Sequence, residues 1–236
     1  MKKLFGAFVL NMLLGTVFSQ NIQLHYDMGK DRGYLTSTVE MFKPDKLGNT
    51  FFFIDLDYGV GKVEGVSLSY FEIARCFSIK ESPFSWHAEY NGGFGQSGSA
   101  PGVAYPINNA WLTGFDYSRN APDFSKGFSL KALYKYIANT IDNRPNSFQV
   151  TAVWYLNFAK GKMLFTDFAD FWREHNNFFL NADAGTETNF VFLSEPQLWY
   201  NFNKHFSAGG EVEIASNFAL HKGIKACPTI AVKYSF

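Results

Sequence analysis

The sequence predicts an all-β protein, a transmembrane antiparallel β-barrel of about twelve strands that is preceded by a cleavable signal peptide. The clearest evidence is the last segment, Pro228 to Phe236, in which apolar and polar side chains alternate. Because successive strand residues point to opposite faces, this segment is a strand with one apolar and one polar face. A terminal Phe, here Phe236, is typical of the strand that closes bacterial outer-membrane barrels and predicts an interaction with the barrel-assembly machinery.

The amino-terminal segment has the order of a secretory signal. Lys2 and Lys3 precede an apolar run from Leu4 to Val17, and Ser19 follows at the position that a signal peptidase reads. The run is short for a membrane-spanning helix, which is the alternative. We therefore expect a signal peptide over residues 1–19 and one outer-membrane barrel domain over residues 20–236.

The composition supports a barrel in the outer membrane of a Gram-negative bacterium. Aromatic residues make up 19% of the chain, with 27 Phe and 12 Tyr, as expected if apolar side chains face lipid in belts near both interfaces. The formal net charge is zero and no basic stripe is present, which argues against a nucleic acid polymer as partner. Cys76 and Cys227 fall on non-neighbouring strands and lack metal-ligand partners at useful spacing, so neither a disulfide, a metal nor a cofactor is expected.

Twelve runs rich in β-branched and aromatic residues are separated by Gly, Pro, Asn and Asp. They begin near Asn21, Leu35, Asn49, Val66, Phe84, Ile107, Phe128, Phe148, Met163, Asn189, Phe206 and Thr229. Short connections alternate with longer ones, of which Asn91–Pro106 and Arg173–Thr188 are the longest, and this asymmetry is typical of periplasmic turns and extracellular loops. An even count allows the first strand to pair with the last, which satisfies every backbone group in the hydrocarbon.

Charged residues assign the two faces of each strand, because a charge facing lipid at mid-depth costs up to about 2–4 kcal/mol. In the third strand Asp55 and Asp57 therefore point into the lumen, together with Phe51 and Phe53 of the same parity. The same reasoning places these side chains inside: Ser85, His87, Glu89, Asn91, Lys131, Lys135, Gln149, Thr151, Tyr155, Glu195, Gln197, Glu211, Glu213 and Lys233. Two pairs of charged residues do not fit this rule: Glu72 with Arg75, and Asp167 with Asp170. Alternation places the two members of each pair on opposite faces of one strand, so either a bulge shifts the alternation or one member lies near a membrane interface.

A twelve-stranded barrel is intermediate between a filled barrel and an open channel, which predicts a narrow passage. The assigned interior is mildly acidic, which disfavours strong anion selectivity. Phe51 and Phe53 offer a stacking surface for a planar ring, worth about 1–3 kcal/mol per base in nucleic-acid systems, and Asp55 and Asp57 can accept hydrogen bonds from hydroxyl or NH groups. The alternative is that the two phenyl rings fill space and that the acids pair with lysines.

Four segments resemble the Tsx-type nucleoside-specific channels: GNTFFFIDLDYG (48–59), FTDFADFW (165–172), FLSEPQLWYN (192–201) and GGEVEIASN (209–217). The chain looks most like an uncharacterised branch of that superfamily, a domain of unknown function. The resemblance implies a twelve-stranded barrel that admits nucleosides. It also implies lumen or solute-contacting roles for Phe51, Phe53, Asp55, Asp57, Glu195, Gln197 and Glu211.

We expect a monomeric channel in outer-membrane lipid for passive diffusion of small hydrophilic solutes, with nucleosides as the candidate class. Its lumen or solute-binding residues are Phe51, Phe53, Asp55, Asp57, His87, Glu89, Glu195, Gln197, Glu211 and Glu213. One alternative is an outer-membrane enzyme acting on lipid or envelope esters, with His87 as its base. Since no G-x-S-x-G motif occurs, we expect no enzyme and no catalytic residue. A further alternative is a non-conducting structural or interaction barrel.

Overall fold

The computed structural model describes residues 19–178 and 184–236. The predicted signal peptide lies almost entirely outside these residues. In the described part, antiparallel strands join into one sheet, and a 3-10 turn at Ala159–Gly161 connects two of them. The strands are β1 (Ser19–Asp27), β2 (Leu35–Asp45), β3 (Gly48–Tyr58), β4 (Val66–Ser78), β5 (Phe84–Ser97), β6 (Ala100–Asn120), β7 (Lys126–Ile137), β8 (Asn146–Phe158), β9 (Met163–Asn177), β10 (Glu187–Ser194), β11 (Gln197–Asn201), β12 (Phe206–Ser216) and β13 (Ile224–Ser235).

The sheet closes on itself as a twelve-stranded barrel. Strands β10 and β11 occupy one position, because both pair with β9 and β12 and are separated only by Glu195 and Pro196. Closure is made by β1, whose Asn21 pairs with Ser235 of β13. The prediction of an all-β barrel is therefore confirmed. Residues 19–178 and 184–236 contain no helical segment with the length and hydropathy of a membrane-spanning helix.

The outer wall is apolar and the inner wall is largely polar. This distribution is the reverse of that in a water-soluble protein, where apolar side chains are inside. Along β1, Ile22, Leu24 and Tyr26 are exposed. The alternate side chains Asn21, Gln23, His25 and Asp27 are all buried. Polar side chains thus face the lumen, while aromatic and aliphatic groups face the lipid, as predicted from the alternation.

The prediction of a long loop over Asn91–Pro106 is wrong. These residues extend β5 and β6 into a tall hairpin, in which Phe94 pairs with Pro106 and Gly95 with Tyr105. The predicted loop Arg173–Thr188 is also shorter than expected, since β9 continues to Asn177 and β10 begins at Glu187.

Part of the lumen is apolar, which the sequence did not indicate. A cluster of buried side chains on the inner faces of β6, β7, β9 and β10 comprises Ala110, Leu112, Leu133, Ile137, Trp172 and Val191. Phe218, from the segment between β12 and β13, packs against this cluster and meets the Trp172 ring edge-on at 6.0 Å. The extracellular half of the lumen is therefore filled along this side of the barrel.

Candidate solute passage

The wall formed by β2, β3 and β4 carries the predicted aromatic and acidic residues on its inner face. The Asp55 carboxylate accepts a hydrogen bond from Thr38 Oγ1 at 2.5 Å, and Asp57 accepts one from Thr36 Oγ1 at 2.6 Å. The Phe53 ring lies 5.9 Å from the Phe51 ring, between ring centres. The two threonine hydroxyls therefore hold the Asp55 and Asp57 carboxyl groups in position.

Phe53 also contacts Tyr70 of β4, with ring centres 5.8 Å apart. All residues of β3 are half-buried rather than fully enclosed. The three rings Phe51, Phe53 and Tyr70 therefore form an aromatic stripe beside Asp55 and Asp57. The side chains of this stripe are more exposed than the fully buried His87 on β5.

The wall formed by β10, β11 and β12 provides a second set of carboxyl groups. Gln197 Nε2 donates to Glu211 at 2.7 Å, and Trp199 Nε1 donates to Gln197 Oε1 at 2.9 Å. Glu195 lies at the strand interruption, next to Pro196, which lacks an N–H group for the ladder. Glu195, Gln197 and Glu211 are half-buried, like the residues of β3.

At the extracellular mouth, the guanidinium of Arg32 joins the β1–β2 loop to two strands. It donates to Asp27 and to Glu213, each at 2.7 Å. Asp27 also accepts a hydrogen bond from the Gly29 backbone N–H at 2.7 Å. We call the group Asp27, Gly29, Arg32 and Glu213 the mouth latch. Only Glu213 among these was predicted as a lumen residue.

The wall formed by β4, β5 and β6 is closely packed around His87. His87 Nε2 lies 2.8 Å from Glu89 Oε2, and Cys76 Sγ lies 3.3 Å from His87 Nδ1. The other oxygen of Glu89 accepts a hydrogen bond from Asn91 at 3.1 Å. The order thiol, imidazole, carboxylate matches that of a thiol hydrolase, yet His87 is 0% exposed and Cys76 only 4%. A substrate ester has no access to either group, so this chain of contacts stabilises the wall.

Two lysines predicted to face the lumen lie over tryptophan rings. Lys135 Nζ is 4.3 Å from the centre of the Trp172 ring, and Lys233 Nζ is 3.9 Å from that of Trp199. His25, for which the sequence indicated no role, meets Trp199 edge-on and lies 3.0 Å from Thr229. Both lysines are therefore engaged with buried tryptophan rings.

The structure decides the facing of the two ambiguous pairs. The register of β4 and β9 is continuous through both pairs, so no bulge is involved. Glu72 pairs with Asn91 and faces the lumen, whereas Arg75 lies on the outer face and contacts Asp45 at 2.6 Å. Asp170 faces the lumen and accepts a hydrogen bond from Thr151. Asp167 lies on the outer parity, where Ser194 donates to it at 3.0 Å.

Carboxyl groups outnumber basic groups on the inner face of the described barrel. The inward carboxyl groups are Asp27, Glu40, Asp55, Asp57, Glu72, Glu89, Asp116, Asp170, Glu174, Glu195, Glu211 and Glu213; the inward basic residues are Arg32, Lys131, Lys135, Lys225 and Lys233. Residues 19–178 and 184–236 contain no group of three or more His, Cys, Asp or Glu residues placed to hold a metal ion. The acidic character is therefore a property of the passage rather than of a metal centre.

The closed sheet, the lipid-facing apolar wall and the polar lumen define an outer-membrane β-barrel, whose fold is similar to that of solved porins. The chain belongs to the family described as Domain of unknown function (DUF5020), whose model matches residues 19–236. No curated protein matches the chain.

Solved structures of similar fold include two porins. NanC porin shares 9% identity at a TM-score of 0.59, with 92% of this chain and 100% of that chain covered. KdgM porin shares 12% identity at a TM-score of 0.51, with 92% of this chain and 99% of that chain covered. KdgM porin has also been solved in complex with disordered oligogalacturonate. At such identities the likeness concerns the fold.

Proposed function

We propose that the protein is a passive outer-membrane channel for small hydrophilic solutes, and that it is not an enzyme. The observation that carries this proposal is the difference between the two sides of the lumen. The inner walls formed by β2 and β3 and by the group Glu195, Gln197 and Glu211 present half-buried polar and aromatic side chains. The wall around His87 and the apolar cluster on β6, β7, β9 and β10 consist of buried side chains. Solute therefore passes along the first two walls.

The lining of this passage favours neutral or cationic solutes over anions. Asp55, Asp57, Glu195 and Glu211 lie along it, whereas Lys135 and Lys233 are engaged with tryptophan rings. An anion would enter against this field, with little screening inside a low-dielectric wall. KdgM porin has been solved with oligogalacturonate, a polyanion, whereas the carboxyl groups along this passage disfavour a polyanionic solute.

Within this class we propose nucleosides as solutes, in keeping with the Tsx-like segments of the sequence. The rings Phe51, Phe53 and Tyr70 provide a surface on which a base can stack. Asp55 and Asp57 lie on the same face, where they can accept hydrogen bonds from sugar hydroxyls. His87 and Glu89 are assigned to the wall instead of the passage, because both are buried and bonded to each other.

Solute flux into proteoliposomes tests the proposal. Vesicles with the purified barrel should swell faster in uridine or cytidine than in galacturonate of the same osmolarity, and protein-free vesicles serve as the control. Swelling no faster than in protein-free vesicles would support the non-conducting barrel instead. Equal swelling rates in nucleoside and galacturonate would be consistent with a channel but would contradict its proposed preference for neutral solutes over anions. Ester hydrolysis that disappears with His87→Ala would favour the enzyme.

A further inference from the structure

Basic side chains concentrate at the rim of the barrel that carries the short turns 46–47, 79–83, 121–125, 159–162 and 202–205. Over the described residues, the basic groups in these turns and the adjoining strand ends are Lys43, Lys46, Arg75, Lys80, Arg119, Lys126, Lys160, Lys162 and Lys204, against the acids Asp45, Glu81 and Asp123. The rim is thus positively charged, although the chain as a whole has a formal net charge of zero. We call this set of basic residues the basic rim. Short turns identify it as the periplasmic rim.

Two arginines of the basic rim lie on the lipid-facing wall beside aromatic rings. The guanidinium carbon of Arg75 is 5.2 Å from the centre of the exposed Phe77 ring. That of Arg119 is 5.7 Å from the Tyr117 ring, and Arg119 Nε donates to the Tyr117 hydroxyl at 3.1 Å. Long basic side chains beside interfacial rings extend from the hydrocarbon edge into the headgroup layer. The charges therefore lie at the depth of lipid phosphates.

A cleft of about 660 Å³ opens between turns 79–83 and 121–125. The two hairpins are joined by the Ser118 backbone N–H, which donates to the Pro83 carbonyl at 3.0 Å. Lys80, Ser82, Arg119 and Asn120 line the cleft, together with Glu81 and the exposed Phe124. Guanidinium, ammonium and hydroxyl donors suit phosphate oxygens, and the Phe124 ring suits the glycerol and acyl region beside them.

We propose that the basic rim, with this cleft as its best-defined site, binds the phosphate headgroups of anionic phospholipids in the inner leaflet. The positive charge of the basic rim favours phosphate groups as its ligands. Its position at the membrane edge favours lipid headgroups as the source of those phosphates. Arg75 and Arg119 lie against the hydrocarbon-facing wall, and the turns are too short to project a surface far into the periplasm. A soluble protein or a polysaccharide strand would meet few of these side chains.

Lipid selectivity of the refolded barrel, measured with spin-labelled lipids in bilayers, tests this proposal. The native chain should retain phosphatidylglycerol in preference to phosphatidylcholine. The variant Lys80→Gln/Arg119→Gln should lose affinity for the cleft-bound lipid by about fivefold for each basic side chain removed. The matched control Lys62→Gln/Arg144→Gln removes the same formal charge from the opposite rim and should keep the native preference. Heat-dependent gel mobility verifies that each variant has folded.

Measurements on the native chain alone keep the proposal falsifiable if the cleft variant does not fold. The preference should decline steeply between 0.05 and 1 M salt, since the Debye length falls from over ~10 Å to ~3 Å. Equal retention of both lipids, or an equal loss in the control variant, would overturn the proposal. Removal of the preference by inorganic phosphate at matched ionic strength would assign the cleft to free phosphate instead of lipid and would overturn it as well.

Discussion

Replacement of Arg32 by Ala should release the β1–β2 loop from the barrel mouth. The guanidinium forms two ion-paired hydrogen bonds of 2.7 Å, with Asp27 and Glu213, and only 16% of its side chain is exposed. Hydrogen bonds to charged groups contribute about 1.5–3 kcal/mol each. Because the mouth adjoins solvent, we take the low end of this range, about 3 kcal/mol for both bonds. At about 1.4 kcal/mol for each factor of ten, the loop should open about 100-fold more often.

Amide hydrogen exchange of residues 28–34 in detergent measures this opening directly. Protection there should fall by about two orders of magnitude, while the strand amides of β5 and β6 keep their native rates. The matched control is Arg144→Ala, because that side chain is 72% exposed and lies 4.0 Å from Asp142. An exposed pair of this kind contributes less than about 0.5 kcal/mol, so its loss should change exchange little. Exchange of residues 28–34 within about threefold of the native rate in Arg32→Ala would refute the latch.

Three further predictions concern the passage and the closing strand. Phe53→Ala should weaken nucleoside block of single-channel current by about 1–3 kcal/mol in free energy, whereas Phe52→Ala, on the lipid-facing parity, should not; equal effects would contradict the assignment. Asp55→Asn combined with Glu211→Gln should move the reversal potential in a salt gradient towards zero, and an unchanged potential would remove both carboxyl groups from the passage. Phe236→Ala should slow assembly in cells, seen as slower appearance of the heat-modifiable band, with little loss of stability in detergent; assembly at the native rate would count against recognition of the terminal ring.

The strands and their facing were predictable because the lipid imposes a simple rule on them. A charged side chain at mid-depth is costly on the outer face, so each acid or lysine in a strand fixes the parity of its neighbours. Asp55 and Asp57 assigned β3 in this way, and the structure places both on the inner wall with Phe51 and Phe53. Local alternation carries this information without any knowledge of the partner strands.

The β5–β6 hairpin was mistaken for a loop because its composition hides its pairing. Residues 91–106 are rich in glycine and include two prolines. A strand needs only paired backbone groups, however, and the side chain missing at Gly95 is replaced by the ring of Tyr105. A Cβ added to Gly95 would come within 2.4 Å of that ring. Such a cross-strand substitution has no signature in local hydrophobic periodicity.

The mouth latch and the lysine–tryptophan contacts were missed for a different reason. Arg32 and Glu213 are separated by 181 positions in the chain, so no window of the sequence brings them together. The sequence indicates no role for Trp172 or Trp199, which the structure places inward, beneath Lys135 and Lys233. The curvature of the closed barrel, which brings non-neighbouring strands face to face, creates these contacts.

Current through planar bilayers tests the central claim most directly, namely that the described barrel encloses a conducting passage lined by carboxyl groups. With the purified native chain and a tenfold KCl gradient, we predict discrete conductance steps. We also predict a reversal potential whose sign shows that K⁺ permeates better than Cl⁻. A silent bilayer, or a reversal potential of the sign set by chloride, would contradict it.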